Sequence, residues 1–360
     1  MVSNASAFGS GFIAWRVVQA TVLVAGVAAV VTLMAWPKVG LSAIWDVLIP
    51  AAPALLVFAP GLWRNICPLG TVSQLARHLG RGLRLRATPK MRSSLAAAST
   101  ALLLLLVPSR HVGLDDSGLV SAAALVALGM LALVAGYVFD GKSGWCSGLC
   151  PVHPVEQLYG TRPAVTFTNA HCVECVGCVP VCPDSTPAMS PLAQGVTKLQ
   201  HALGLVLMGG FVGFVWGWYR VPAGGSADTF ESWVEAYGWT WGAMSVSLAI
   251  FLVLRALAGS SARARLERLF VGAAVSTYYW YKLPALLGLG GSGTVLIDLG
   301  TTLPSWSIWA CRGLTTVVLL GWIVAAPDPA PGRAWLHRGP YAPRRANGVA
   351  AVTIGSNAPA

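Results

Sequence analysis

Apolar residues fall in long blocks along this chain, and the polar residues fall between the blocks. Eight blocks approach the roughly 20 residues that a helix needs to cross a bilayer: 17–36, 41–63, 95–112, 119–139, 202–219, 239–257, 269–289 and 306–326. Backbone groups in lipid must be paired within their own segment, so the pattern predicts α-helices and places any irregular, ligand-binding backbone outside the hydrocarbon. The second block carries Pro50, Pro53 and Pro60 as well as Asp46, which predicts a kinked helix packed against its neighbours, with Asp46 near the interface. The seventh and eighth blocks are interrupted by Lys282 and Pro284 and by Arg312. Block 17–36 is too long for a secretory h-region and no small-residue cleavage site follows it, so it is expected to remain as an anchor.

Composition agrees with this reading: 55% of the 360 residues are hydrophobic and only 10% are charged. The net charge of +11 would suggest a nucleic-acid partner if it were spread over a soluble surface, but it is sorted by loop. All of the 24 Lys and Arg except Lys38, Arg110, Arg220, Lys282 and Arg312 fall in alternate segments, the most basic being 64–92. By the positive-inside rule those segments are cytoplasmic, as are both termini, and no nucleic-acid partner is expected. The stretch 327–360, rich in Pro, Ala, Gly and Arg, reads as a disordered basic tail. The division expected is 1–140 for four helices with a basic loop, 141–199 for a cytoplasmic region, 200–326 for the remaining helices, and 327–360 for the tail.

The chemistry is concentrated in one loop. Cys172, Cys175, Cys178 and Cys182, followed by Pro183, form C-x2-C-x2-C-x3-C-P, the bacterial ferredoxin run for iron–sulfur ligation. Zinc fits this spacing less well, because it usually takes two separated pairs. The fourth cysteine of such a run ligates the other cluster in two-cluster ferredoxins, which calls for thiolates elsewhere. Of the 8 Cys, Cys67 and Cys150 are also followed by proline, and Cys146 precedes Cys150 by four residues. The two loops match as C-P-x3-V-x-Q-L, through Cys67, Val72, Gln74 and Leu75 and through Cys150, Val155, Gln157 and Leu158, which suggests a duplicated unit. Trp63 stands where a partner of Cys146 would be, so seven cysteines are available and one corner of a second cluster lacks a thiolate. Asp140 or His153 are candidates for that corner; the alternatives are a three-iron cluster or no second cluster at all. Cys311 lies near the opposite face and is expected to be a small apolar residue. No facing histidine pair for haem, glycine-rich nucleotide loop or nucleophile elbow is present in the sequence.

At these residues the chain resembles the membrane-bound 4Fe-4S polyferredoxins of bacterial respiration, the NapH- and NosR-like proteins, in which helical hairpins carry C-x3-C-P and a cytoplasmic loop carries the ferredoxin run. The resemblance covers roughly residues 41–187. It implies an all-α polytopic membrane protein of about eight transmembrane helices, with a small ferredoxin-like region on the cytoplasmic side of the bacterial inner membrane. It further implies two [4Fe-4S] clusters held by Cys172, Cys175, Cys178, Cys182, Cys146, Cys150 and Cys67. The function implied is electron transfer between a quinol or cytosolic donor and a respiratory or redox partner, in an electron carrier or subunit more than a stand-alone enzyme. The alternative is an assembly or metal-reductase accessory factor or a redox sensor. The missing first cysteine at Trp63 and the single complete run depart from the family pattern and leave the second cluster in question.

Overall fold

The computed structural model describes residues 10–171, 184, 190–192, 197–221, 229–290, 294–327 and 335–337. The long helices are α1 (Ser10–Ala35), a continuous pass made of α2 (Pro37–Ser42), a π-helical turn (Ala43–Leu48) and α3 (Ile49–Phe58), then α6 (Pro89–Leu106), α7 (Gly118–Val138), α9 (Lys198–Trp218), α10 (Phe230–Leu257), α11 (Ser260–Leu286) and α12 (Ser307–Ala325). Short helices α4 (Pro60–Ile66), α5 (Pro68–His78) and α8 (His153–Tyr159) lie between passes. Polar caps start several passes where the chain leaves a loop. Thr88 accepts from the Met91 N–H, Ser117 from Val120, and Thr197 forms a reciprocal capping box with Gln200.

Six of these passes are long and apolar enough to cross a membrane: 13–35, 37–58, 118–138, 198–218, 230–257 and 307–325. Their outward faces are apolar, with Val24 on α1, Val246 on α10 and Val317 on α12 more than half exposed, as suits helices whose solvent is lipid. The expected spans 95–112 and 269–289 are also helical, on α6 and α11, but both helices open on charged turns that hold Lys90 and Arg92 or Arg263, Arg265, Glu267 and Arg268. Among the described residues the passes alternate between two ends. At one end Arg16 of α1 meets His78, Ser93 of α6 meets Thr197 at the start of α9, and Trp322 of α12 donates to the Arg162 carbonyl. At the other end Gly118 packs on Leu33, Trp218 donates to the Val107 carbonyl, and Arg312 donates to the Trp280 carbonyl.

Close packing joins the later helices to one another and to the first half of the chain. α9 presents glycines to α10, and a Cβ on Gly213 would strike the Ala243 carbonyl, so this close approach requires glycine. The main core then runs from α3 and α8 through Leu56, Val57 and Leu158 to Phe211, Phe214, Val275 and Leu319 on the later helices. Asp46, expected near the interface, is buried in the π-helical turn, and Lys282 Nζ lies 2.8 Å from its Oδ1. The residue that interrupts the seventh apolar block is thus the partner of the one that interrupts the second.

Strands are minor. Phe167–Thr168 (β1) pairs in parallel with Leu336–His337 (β2), with Phe167 opposite Leu336 and Thr168 opposite His337. Within the stretch read as a tail, Trp335 and Leu336 are therefore packed: both are buried, and Trp335 Nε1 donates to the Gly160 carbonyl at 2.6 Å.

Candidate iron–sulfur site

Cys67 and Cys150 each occupy a break between two helical segments, and the following proline dictates the local geometry. The residue before proline is driven out of the helical region. Cys67 adopts φ −55, ψ 121 and Cys150 adopts φ −60, ψ 120, the same conformation in both copies of the motif. Each is also tied to the turn before it, Cys67 N–H to the Trp63 carbonyl at 2.9 Å and Cys150 N–H to the Trp145 carbonyl at 3.0 Å. Past the pair the copies diverge: Leu158 is buried, whereas Leu75 is exposed.

These two breaks face each other. Cys146, in the π-helical turn Trp145–Leu149, and Cys150 lie in one buried cluster with Ala132, Ala135 and Trp145, against Leu69 and Val72 of α5. A Cβ on Gly70 would sit 3.5 Å from Cys146 Sγ and 3.6 Å from Cys67 Cβ, so the absent side chain leaves room between the two cysteines. All three are free thiols. Burial pushes the Cys146 thiol up to about 12, against the pull of Lys142 and Arg64, and it pushes the Cys67 and Cys150 thiols up as well. A metal that binds here must displace these protons, and the thiolates then gain the charge that burial alone disfavours.

The four cysteines of the run, Cys172, Cys175, Cys178 and Cys182, lie outside the described residues, but both flanks of the run are described. On the upstream side Asn65, two residues before Cys67, accepts from the Ala170 N–H at 3.1 Å and donates to the Thr168 carbonyl at 2.8 Å. The Gln19 amide lies 3.0 Å from the Asn65 carbonyl and 3.2 Å from His171 Nε2. On the downstream side Asp184, two residues after Cys182, pairs with Arg64 at 2.5 Å and with Lys142 at 2.7 Å. The flanks also meet each other, Asn169 Nδ2 lying 3.4 Å from Asp184 Oδ2. Both flanks of the run therefore lie beside the Cys67 and Cys146 segments.

A buried charge network lines this junction. Arg64 Nη2 lies 2.7 Å from Glu156 Oε2 and 2.7 Å from His153 Nδ1. Burial works against every charge in it, yet the pairing prevails. Arg64 and Lys142 are held above their usual ranges by the neighbouring carboxylates, Glu156 is held below its range by Arg64, and Asp184 is held below its range by Lys142 and Arg64. Burial keeps His153 neutral.

The donor set suits an iron–sulfur cluster. Two buried thiols and one half-buried thiol come together beside the flanks of the run, and two buried nitrogens next to candidate ligands, Trp145 Nε1 and His171 Nδ1, have no hydrogen-bond partner. Among the described residues no group of His, Cys, Asp or Glu closes on a point that would hold a single metal ion. The thiolates of a cubane sit on separate irons, so that set need not converge on one point. Of the non-thiolate candidates for the missing corner, Asp140 is paired with Arg77 at 2.5 Å and His153 Nδ1 is engaged by Arg64 and Glu156. Cys311 is half-buried at the start of α12, at the opposite end of the bundle.

Sequence reasoning missed Arg64, Lys142, Glu156 and Asp184. Arg64 and Lys142 counted only as inside charges. The available signal was position: Arg64 stands three residues before Cys67, and Asp184 directly follows Cys182-Pro183.

Comparison with known proteins also points to iron–sulfur binding. A family model described as a 4Fe-4S binding domain matches the chain twice, over residues 48–86 and 122–160, each match containing one Cys-Pro pair. The chain is similar to the ferredoxin-type protein NapH of Haemophilus influenzae, with 31% identity over 147 residues that cover 35% of this chain and 48% of the relative. It is also similar to the methylamine utilization ferredoxin-type protein MauN of Methylobacillus flagellatus, with 27% identity over 147 residues, 37% of this chain and 52% of the relative. The chain thus spans about half the length of the curated relatives it matches. No solved structure matches it. The resemblance to the membrane-bound 4Fe-4S polyferredoxins rests on these matches as well as on the motifs.

Proposed function

We propose that this multi-pass membrane protein is an electron carrier that relays single electrons between a quinol or cytosolic donor and a respiratory or redox partner. The observation that carries the reading is the anchoring of both flanks of the ferredoxin run, at Ala170 and Asp184, to Asn65 and Arg64 next to Cys67. In this reading Cys172, Cys175, Cys178 and Cys182 act with Cys67, Cys146 and Cys150 as ligands of two [4Fe-4S] clusters, the second of them short of one thiolate. Such clusters supply one-electron transfer at potentials that the protein sets.

The chain's own residues do the rest. The Cys-Pro breaks place thiols at helix ends, the apolar cluster around Trp145 excludes water, and the passes carry the site at one end of a membrane domain. We assign that end to the cytoplasmic side of a bacterial inner membrane, with eight crossings, on the basis of the charge sorting. The regions 1–140, 141–199, 200–326 and 327–360 then serve as first helices, cluster region, later helices and basic tail.

Anaerobic purification with iron and sulfide counts, followed by EPR of the reduced protein, tests this reading. Two clusters that are reduced and reoxidised by a quinol or a partner protein support it. A protein without iron and sulfide refutes it, and a cluster that is lost on oxidation favours a sensor or assembly factor.

A further inference from the structure

Arg64 touches the segments next to Cys146, Cys150 and Cys182. It stands in the last turn of α4, with a side chain 2% exposed. Nη2 donates to the Cys146 carbonyl at 2.9 Å and Nη1 to Ser147 Oγ at 3.0 Å, which pins the turn before Cys150. Nε and Nη2 donate to Glu156 on α8, the helix that begins three residues after Cys150. Nη1 also reaches Asp184 beyond the ferredoxin run. The ring of Trp335, from the C-terminal strand, lies 4.9 Å from the guanidinium. A planar fork with five donors serves this many acceptors in fixed directions, which an ammonium group cannot do.

Lys142 adds a second buried cation, donating to the Arg64 carbonyl at 3.1 Å and pairing with Asp184. Two cations and two carboxylates cancel in number, and Arg64 is hydrogen-bonded directly to the Cys146 carbonyl.

We propose that Arg64 is a positioning residue of the iron–sulfur site: its guanidinium holds the segments of Cys67, Cys146 and Cys150 and the far flank of the run at Asp184 in one arrangement. This rests on the iron–sulfur reading above. One-electron reduction adds one negative charge to a cluster, so removing a buried cation from the junction beside it disfavours the reduced form and lowers its potential.

The test uses the full chain, purified anaerobically in detergent, as wild type and as Arg64→Lys, Arg64→Gln, Lys142→Gln and Arg110→Gln. Arg110 is also buried and paired, with Asp115, but it stacks on Trp45 and Trp218 at the opposite end of the bundle. Iron and sulfide per chain, an EPR redox titration and the EPR line shape are the readouts. Lys142→Gln is expected to keep its iron and to show a lowered midpoint potential. Arg64→Lys is expected to keep a potential nearer the wild type than Arg64→Gln does, with an altered line shape, because the charge survives and the fork does not. Arg110→Gln is expected to change neither. If Arg64→Gln does not accumulate, Arg64→Lys and Lys142→Gln decide the matter. Wild-type potentials and line shapes in both would overturn the proposal, as would an equal shift in Arg110→Gln. A wild-type protein without iron would instead remove the iron–sulfur reading beneath it.

Discussion

Lys282 Nζ lies 2.8 Å from Asp46 Oδ1, and this pair links two passes that are 236 residues apart in sequence. The side chains are 11% and 8% exposed, so neither charge has water to fall back on if the other is lost. Removing one partner of such a buried pair typically costs about 3–5 kcal/mol, whereas replacing both with apolar residues of similar volume is often close to neutral. Lys282→Met alone should therefore lower the thermal midpoint in detergent strongly, and Asp46→Leu with Lys282→Met should recover most of the loss. A double variant as unstable as the single one would show that the pair itself, not the stranded carboxylate, sets stability here.

Cys67 separates a ligand from a packing residue. It is half-buried and small, so Cys67→Ala removes little packing, but it removes a thiolate from the set that faces Cys146 and Cys150. The expected outcome is a fall in iron and sulfide per chain and a changed EPR spectrum, with Cys175→Ser showing the same for the run. Unchanged iron in Cys67→Ala would exclude Cys67 as a ligand.

The sidedness is open to direct measurement. Reporter domains fused at positions Ser94 and Pro187 should be active only in the cytoplasm, and one fused at Ser226 only outside. The reverse pattern would move the thiols to the outer face and remove the argument for a reducing compartment.

Acid should act through Glu156. Arg64 holds its folded pKa below the ordinary 4.5, so the folded chain keeps Glu156 ionised where the unfolded chain takes up a proton. The pair's contribution is then fully present above about 4.5 and is lost as pH falls through the folded value. The stability difference between wild type and Glu156→Gln should be flat from pH 7 to pH 5.5 and should shrink below pH 4.5. A difference that grows as pH falls would contradict this assignment.

The passes and the chemistry were legible in the residues alone. A helix in lipid must be apolar along its length, and each residue makes that statement separately, so the blocks at 17–36 and 119–139 announced α1 and α7 without any knowledge of their neighbours. The thiolate motif was legible for a similar reason, since C-x2-C-x2-C-x3-C-P is a local arrangement of one short stretch of backbone. The duplicated Cys-Pro pairs were legible too, because proline imposes the same extended conformation on Cys67 and Cys150 wherever the chain goes next.

Pairings were not legible, because they depend on which distant segments the passes return to one end of the bundle. Asp46 read as an interfacial acid, and Lys282 as a flaw in a span, until α11 was seen against the Ala43–Leu48 turn. Arg64 read as one more inside charge. Only the folded chain brings it to Glu156 and Asp184, 92 and 120 residues away, and lays Trp335 over it. Hydropathy is a property of one residue against its solvent, while a buried ion pair or a shared cluster is a relation between two or more. Chain order constrains the first closely and leaves the second to the way the passes pack.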